Sequence, residues 1–141
     1  MAEQLFQVGV KALVRDAEGR VLLVCETAHD NSYWDVPGGR MEPGEDLLAT
    51  LRRELHEEIK VDDIDEARQF LTVLSNKQIQ TESGPVALLL IIYEVKLNRS
   101  QKPIPGEEGL SIAWHNPREA ARLLAEKYPK EFCRAVAVLA T

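Results

Sequence analysis

Cysteine is scarce in this chain. The 141 residues include two, Cys25 and Cys133. They form no Cys-x-x-Cys pair and no Cys/His cluster stands near them, which argues against a structural zinc site. Because each lies in an apolar run, we expect two buried thiols rather than a disulfide.

Long apolar runs are also missing. The longest, Val86 to Tyr93, is too short to cross a bilayer. The first residues lack the basic flank and apolar stretch of a signal peptide. We therefore expect a cytoplasmic protein with no membrane partner.

Basic residues are fewer than acidic ones: the chain has 17 Lys and Arg residues and 23 Asp and Glu residues, which gives a net charge of −6. A broad basic surface for nucleic acid is therefore not expected, although a small nucleotide held through metal ions is not excluded. The length and the 45% hydrophobic content suit one domain that spans residues 1–141.

Acidic side chains are concentrated in one segment. Glu54, Glu57 and Glu58 have the spacing i, i+3, i+4, which places helix side chains roughly 5–6 Å apart. A helix is indicated by an apolar residue at every fourth position: Leu47, Leu51, Leu55 and Ile59. Three such carboxylates repel one another, and a Mg²⁺-like cation relieves the repulsion because it prefers oxygen ligands. The alternative is an ordinary acidic surface helix.

The residues around this helix support a cation site. Gly38 and Gly39 precede the helix and allow a close backbone approach, so the Gly38 carbonyl is a candidate further ligand. Arg53 lies one turn from Glu57 and can orient a carboxylate. Glu45 suits the positive end of the helix dipole.

The segment from Gly39 to Val61 resembles the Nudix box, the signature of the Nudix hydrolases. The family pattern is Gly, five residues, Glu, seven residues, then Arg-Glu-aliphatic-any-Glu-Glu-any-Gly-aliphatic. Eight positions match it: Gly39, Glu45, Arg53, Glu54, Leu55, Glu57, Glu58 and Val61. The departure is Lys60, where the family has a glycine that ends the helix in a left-handed turn.

The resemblance implies a fold and a reaction. The fold is an α/β/α sandwich with a mixed β-sheet. The reaction is hydrolysis of a pyrophosphate bond in a nucleoside diphosphate derivative with Mg²⁺ or Mn²⁺. A nucleoside triphosphate, a dinucleoside polyphosphate and a nucleotide sugar all remain candidate substrates. Many members dimerise, so a homodimer is compatible with the resemblance.

The resemblance also assigns roles by position in the box. Glu57 and Glu58 are expected to be metal ligands, and Glu54 is either a ligand or the general base. Arg53 is expected to orient a carboxylate. Outside the box, Glu108 is the preferred additional metal ligand, with a solvated acidic loop as the equal alternative. Two residues are expected to support the site structurally: Gly39 and Glu45.

Two other functions remain open. Nudix-fold modules that bind a nucleotide without cutting it commonly lack box carboxylates, and this chain lacks none. A hydrolase of isoprenoid or inositol diphosphates would carry the same box. The residues that would decide the substrate lie in loops. Asn31 and Tyr33 could line a pocket, and His29 either contacts a base or phosphate or, as its loop position favours, lies at the surface.

Patterns outside the box predict the remaining elements. The strands at 6–15 and 21–25 are expected to form a hairpin. Strands are predicted at 69–74, 86–97 and 110–114, and 62–66 is expected to be a solvated loop. Asn116-Pro117-Arg118-Glu119 is a helix start, followed by a helix to about residue 127 and a last helix over 130–140.

Overall fold

Strands and helices alternate along residues 3–27 and 32–140, the part of the chain that this computed structural model describes. The strands are β1 (Phe6–Val14), β2 (Val21–Glu26), β3 (Trp34–Asp35), β4 (Gly38–Arg40), β5 (Ile64–Leu74), β6 (Ile79–Thr81), β7 (Gly84–Leu97) and β8 (Leu110–His115). The α-helices are α1 (Leu47–Ile59), α2 (Pro117–Leu123) and α3 (Lys130–Ala137), and a 3₁₀ turn over Leu124–Glu126 follows α2.

The central sheet is mixed, which confirms the expected α/β class. Its strand order is β4-β1-β7-β5, and β6 extends it by pairing with the start of β7. Strand β1 runs parallel to β7 and antiparallel to β4, whereas β5 and β7 are antiparallel. A second sheet has the order β3-β2-β8.

The predicted hairpin between the first two strands is wrong. The two strands belong to different sheets and meet at an isolated bridge between Arg15 and Val21. Both edges of β1 are already hydrogen-bonded, one to β4 and the other to β7. Strand β2 therefore pairs elsewhere, and a space opens between the two sheets.

Apolar side chains bury both faces of β1. Val10, Ala12 and Val14 pack in a cluster with α1, where Leu51 and Leu55 are fully buried. The opposite face joins a second cluster that includes residues of α2 and α3, such as Ala120 and Phe132. Helices on both sides of the strands give the three-layer α/β/α arrangement.

Helix α1 begins at a side-chain cap and ends in a left-handed turn in spite of Lys60. The Asp46 carboxylate caps it by accepting the Ala49 N–H at 2.8 Å. At the other end, Lys60 takes the left-handed conformation with φ 59°. Its N–H donates to the His56 carbonyl at 3.2 Å, so the helix ends as it would with glycine, at a conformational cost of roughly 1–2 kcal/mol.

Several boundaries differ from the sequence predictions. The acidic stretch at 62–66 is not all loop, since β5 begins at Ile64, whose side chain packs against the α1 cluster. The loop predicted between β5 and β7 contains β6. Helix α2 stops at Leu123 and α3 at Ala137, each before the predicted end. Cys25 and Cys133 are free thiols, half-buried rather than buried.

The described residues contain no helix with the length and apolarity required to pass through a bilayer.

Candidate functional site

Arg53 joins the turn before α1 to the carboxylates on the helix. Its Nε and Nη2 donate to the two Glu45 oxygens at 2.7 and 3.0 Å, a bidentate pair. Its Nη1 donates to Glu54 Oε1 at 2.8 Å, and its Nη2 also donates to the Arg40 carbonyl at 3.1 Å. One guanidinium therefore fixes the turn, the strand β4 and a box carboxylate together.

Glu45 closes the turn that leads into the helix. Besides Arg53, its carboxylate accepts the Glu42 N–H at 2.8 Å and the Thr50 hydroxyl at 2.9 Å. The hydrogen bonds from Arg53, followed by the one from the Glu42 N–H, lower the pKa of Glu45 to about 2. The carboxylate is thus ionised at neutral pH, and its four hydrogen bonds hold the turn.

Gly39 leaves the space that Glu54 occupies. A Cβ atom on Gly39 would lie 2.3 Å from the Glu54 carboxyl carbon. The Glu54 carboxylate therefore lies directly against the β4 backbone. Burial raises the pKa of Glu54 despite the bond from Arg53.

Glu58 binds the neighbouring glycine. Its Oε1 accepts the Gly38 N–H at 2.7 Å. Gly38 has φ +138°, and a Cβ there would lie 2.2 Å from the Val10 carbonyl oxygen, so only glycine fits. Burial raises the pKa of Glu58 to about 7, since the Lys11 charge and the Gly38 N–H compensate only in part.

The three box carboxylates are close in sequence yet do not form a closed cage. No three acidic, histidine or cysteine side chains within residues 3–27 and 32–140 are arranged to surround an ion as they stand. The described contacts use Oε1 of each glutamate: Arg53 contacts Glu54 and, at 3.6 Å, Glu57, while Gly38 binds Glu58.

The donor set suits a hard divalent cation. Carboxylates and a backbone carbonyl are the ligands that Mg²⁺ and Mn²⁺ prefer. Burial raises the pKa of Glu54 and of Glu58, and a cation beside them would stabilise their ionised forms. Side-chain rotation of Glu57, which is half exposed, would bring its oxygens to such an ion.

The raised pKa of Glu58 predicts that, with a chelator present to remove metal ions, the free energy of unfolding depends on pH. Folding raises this pKa from 4.5 to about 7, so the folded protein holds the proton more tightly than the unfolded chain. Stability contributed by the protonated group is therefore lost as the pH rises from about 4.5 to about 7, by about 3 kcal/mol. Urea unfolding at successive pH values in EDTA measures the loss.

The matched variant for this measurement is Glu58→Gln, which is neutral at every pH. Its free energy of unfolding is expected to change less between pH 5 and pH 8 than that of the wild-type protein. Equal pH profiles for the two proteins would contradict the assigned pKa of Glu58.

The loop before β8 lies against the end of α1. The Gly106 N–H donates to the Glu58 carbonyl at 2.8 Å, and the Ile104 N–H donates to the Ile59 carbonyl at 3.0 Å. A Cβ on Gly106 would lie 1.8 Å from the Glu57 carbonyl oxygen. Glu108 is exposed on this loop, so its role as a metal ligand stays a prediction.

A cleft of about 340 Å³ opens beside Glu58, between the two sheets. Its described lining is Lys11, Val24, Glu26, Ser32, Tyr33, Asp35, Gly38, Glu58 and Leu110. The cleft thus connects Gly38 and Glu58 with Tyr33, one of the residues proposed to line a pocket. The other two loop candidates, His29 and Asn31, lie outside the described residues.

A charge network lies behind one wall of this cleft, which it reaches through Lys11 and Asp35. Asp35 accepts from Lys127 at 2.5 Å and from the Tyr128 hydroxyl at 2.6 Å, and Lys11 lies 3.1 Å from the same carboxylate. Although burial raises the pKa of Asp35, the Lys11 and Lys127 charges outweigh it and hold that pKa below its usual value. Burial lowers the pKa of Lys127 to about 8.

Sequence reasoning missed this network. A signal existed for Lys11, which stands between Val10 and Ala12 in a strand whose two faces are both apolar. A lysine inside such a strand needs a buried partner. Nothing in the sequence identifies that partner, because Asp35 and Lys127 come from distant parts of the chain.

A larger cleft of about 600 Å³ lies away from the box. Its lining contains Arg15, Arg68 and Glu94, which pair with one another at 3.3 and 2.9 Å. It includes none of the box carboxylates. The volume of a cleft alone therefore does not identify the candidate site.

Comparison with a family model identifies the domain type. Residues 5–136 match the model described as the NUDIX domain. This match spans nearly the whole chain and includes every residue of the site described above.

Proteins with similar sequences carry the description "Nucleoside diphosphate-linked moiety X motif 6". The human protein is 37% identical over 119 residues, which are 82% of this chain and 36% of that protein. The Xenopus laevis protein is 31% identical over 118 residues, or 82% of this chain and 52% of that protein. The chain thus spans about a third to a half of the length of these two curated relatives.

Solved structures share the fold. The MutT NUDIX hydrolase from Burkholderia pseudomallei has a TM-score of 0.67 and 20% identity, over 94% of this chain and 97% of that chain. The dihydroneopterin triphosphate pyrophosphohydrolase of E. coli has a TM-score of 0.69 and 19% identity, over 94% and 95% of the two chains. At these identities the likeness is one of fold.

Proposed function

The chain belongs to the NUDIX domain family, and from that membership we propose that it is a metal-dependent pyrophosphohydrolase of nucleoside diphosphate derivatives. The observation that carries the proposal is a pair of part-buried helix carboxylates with raised pKa values: Glu54 lies against the β4 backbone and Glu58 lines an open cleft. Such groups are typical of catalytic and metal sites. A surface helix would leave its carboxylates solvated.

We assign the roles by position in the box, and the contacts of these residues support them. Glu57 and Glu58, with the Gly38 carbonyl, would hold Mg²⁺ or Mn²⁺, and Glu108 is a candidate for a further ligand. When bound, the ion supplies positive charge to the diphosphate and favours attack by water. Glu54, whose pKa is raised by burial, is suited either to complete the ligand set or to take a proton from the attacking water.

The supporting residues keep these oxygens in position. Arg53 binds Glu54 and Glu45 at once, so the helix carboxylate and the preceding turn cannot move independently. Gly39 allows Glu54 to approach the backbone. Because the carboxylates are already held in place, they need to move little when substrate binds. This preorganisation is the main contribution that a rigid site makes to catalysis.

An activity screen tests the proposal. The panel contains nucleoside triphosphates, oxidised nucleotides, ADP-ribose, nucleotide sugars and dinucleoside polyphosphates, with diphosphoinositol and isoprenyl diphosphates as the non-nucleotide arm. We expect chromatography to show cleavage at a phosphoanhydride bond with Mg²⁺ or Mn²⁺ and none in EDTA.

Glu57→Gln protein purified in the same way controls for contaminating phosphatases. Binding of panel members without turnover would overturn the proposed enzyme and support a nucleotide-binding module. Turnover confined to the non-nucleotide arm would overturn the proposed substrate class.

A further inference from the structure

Lys11 is the one cationic side chain among the described residues that line the cleft beside the box. The lining otherwise carries the carboxylates of Glu26, Asp35 and Glu58. Lys11 is only 6% exposed, so its ammonium group has lost most of its water. A buried charge is costly to retain unless it is paired, and its attraction for an anion is correspondingly strong.

The ammonium group lies at the box end of the cleft. In the sheet, Lys11 stands opposite Gly38, and its Nζ donates to the Gly38 carbonyl at 3.3 Å. Asp35 lies 3.1 Å from the same Nζ. These two acceptors use two of the three N–H donors of an ammonium group, which leaves the third for a molecule in the cleft.

Neutralising Asp35 does not require Lys11. Asp35 also accepts from Lys127 and from the Tyr128 hydroxyl, at 2.5 and 2.6 Å. Removal of Lys11 would therefore leave Asp35 with two donors. Lys11 is therefore not required to satisfy Asp35, and its charge also acts on Glu58, which lines the same cleft.

We propose that Lys11 binds a phosphate oxygen of the diphosphate substrate and that Asp35 is its positioning residue. The inference rests on the proposed function, whose candidate ligands Gly38 and Glu58 adjoin Lys11. A phosphate group suits this end of the cleft, because an ammonium group pairs strongly with phosphate oxygens. Ser32 and Tyr33 line the cleft as well and would be left for the rest of the substrate.

Lys11→Met tests the proposal, because methionine keeps most of the side-chain volume and removes the charge. We expect the KM for the best panel substrate to rise about tenfold or more with kcat within about twofold, as for a contact made equally in the ground and transition states. Lys96→Met, the same change on an exposed residue of β7, should leave both constants unchanged.

A binding measurement separates this proposal from the proposed function. Calorimetry with methylenediphosphonate, a non-hydrolysable diphosphate, and Mg²⁺ should show about tenfold weaker binding for Lys11→Met than for Lys96→Met. This comparison holds even if the wild-type protein hydrolyses no panel member, and in that case the proposed enzyme fails while the diphosphate-binding residue stands.

A second variant guards against misfolding. Lys11→Gln retains an N–H donor for Asp35 without the charge, and thermal unfolding establishes which variants are folded. A folded variant with wild-type KM and wild-type methylenediphosphonate affinity would overturn the proposal. Lys11 would then serve only to connect β1 with Asp35.

Discussion

Glu57→Gln is expected to lower kcat by about a hundredfold or more while the free energy of unfolding stays within about 0.5 kcal/mol of wild type. Glutamine matches the size of glutamate but removes the negative charge that would hold a divalent cation. Glu57 is half exposed, and the one ion pair described for it is a 3.6 Å contact with Arg53. Little of the fold therefore depends on its charge.

Steady-state kinetics at saturating Mg²⁺ and urea unfolding in the same buffer measure the two effects. Glu66→Gln, an equal change on an exposed strand residue outside the site, is the matched control. Wild-type turnover by Glu57→Gln protein would contradict the assignment of this carboxylate to the metal site.

Gly106→Ala is expected to cost about 2–3 kcal/mol of stability and to reduce turnover. Its Cβ would lie 1.8 Å from the Glu57 carbonyl oxygen, a backbone atom that cannot rotate away. The loop would have to withdraw from the end of α1 and lose the hydrogen bond from the Gly106 N–H to the Glu58 carbonyl. Chemical denaturation and kinetics on the same preparation measure both losses.

Gly44→Ala is the control that separates the steric clash of an added Cβ atom from the cost of a left-handed backbone. Gly44 has φ +85° with no atom within 4 Å of the added Cβ, so alanine there costs only the left-handed conformation, roughly 1–2 kcal/mol. If Gly106→Ala were no more destabilising than Gly44→Ala, the packing of this loop on α1 would not be as tight as the structure has it.

Local patterns in the sequence were sufficient to predict the helix that carries the carboxylates. The four-residue apolar repeat and the spacing of the acids both depend on residues within one or two turns of one another. They predict α1 with its carboxylates together because a helix has a fixed geometry. The match to the Nudix box gave the family and the fold class in the same way.

Long-range pairing could not be predicted in this manner. The first two strands look like a hairpin because they are adjacent in sequence, yet β1 pairs with β7, more than seventy residues away. The acidic residues beside Ile64 made the start of β5 look like a loop. An edge strand can carry such residues because one of its faces is exposed to solvent. Such pairings depend on which sheet edges remain free.

The sequence by itself determined which carboxylates share a helix, which glycines precede them and which family the chain resembles, because short-range geometry fixes all three. Only the tertiary structure decided what surrounds those groups. It placed Arg53 on Glu45, brought the Gly106 loop against α1, and assembled Lys11, Asp35 and Lys127 from three distant segments. Burial and charge pairing, which set the pKa values and the character of the cleft, arise only when those segments meet.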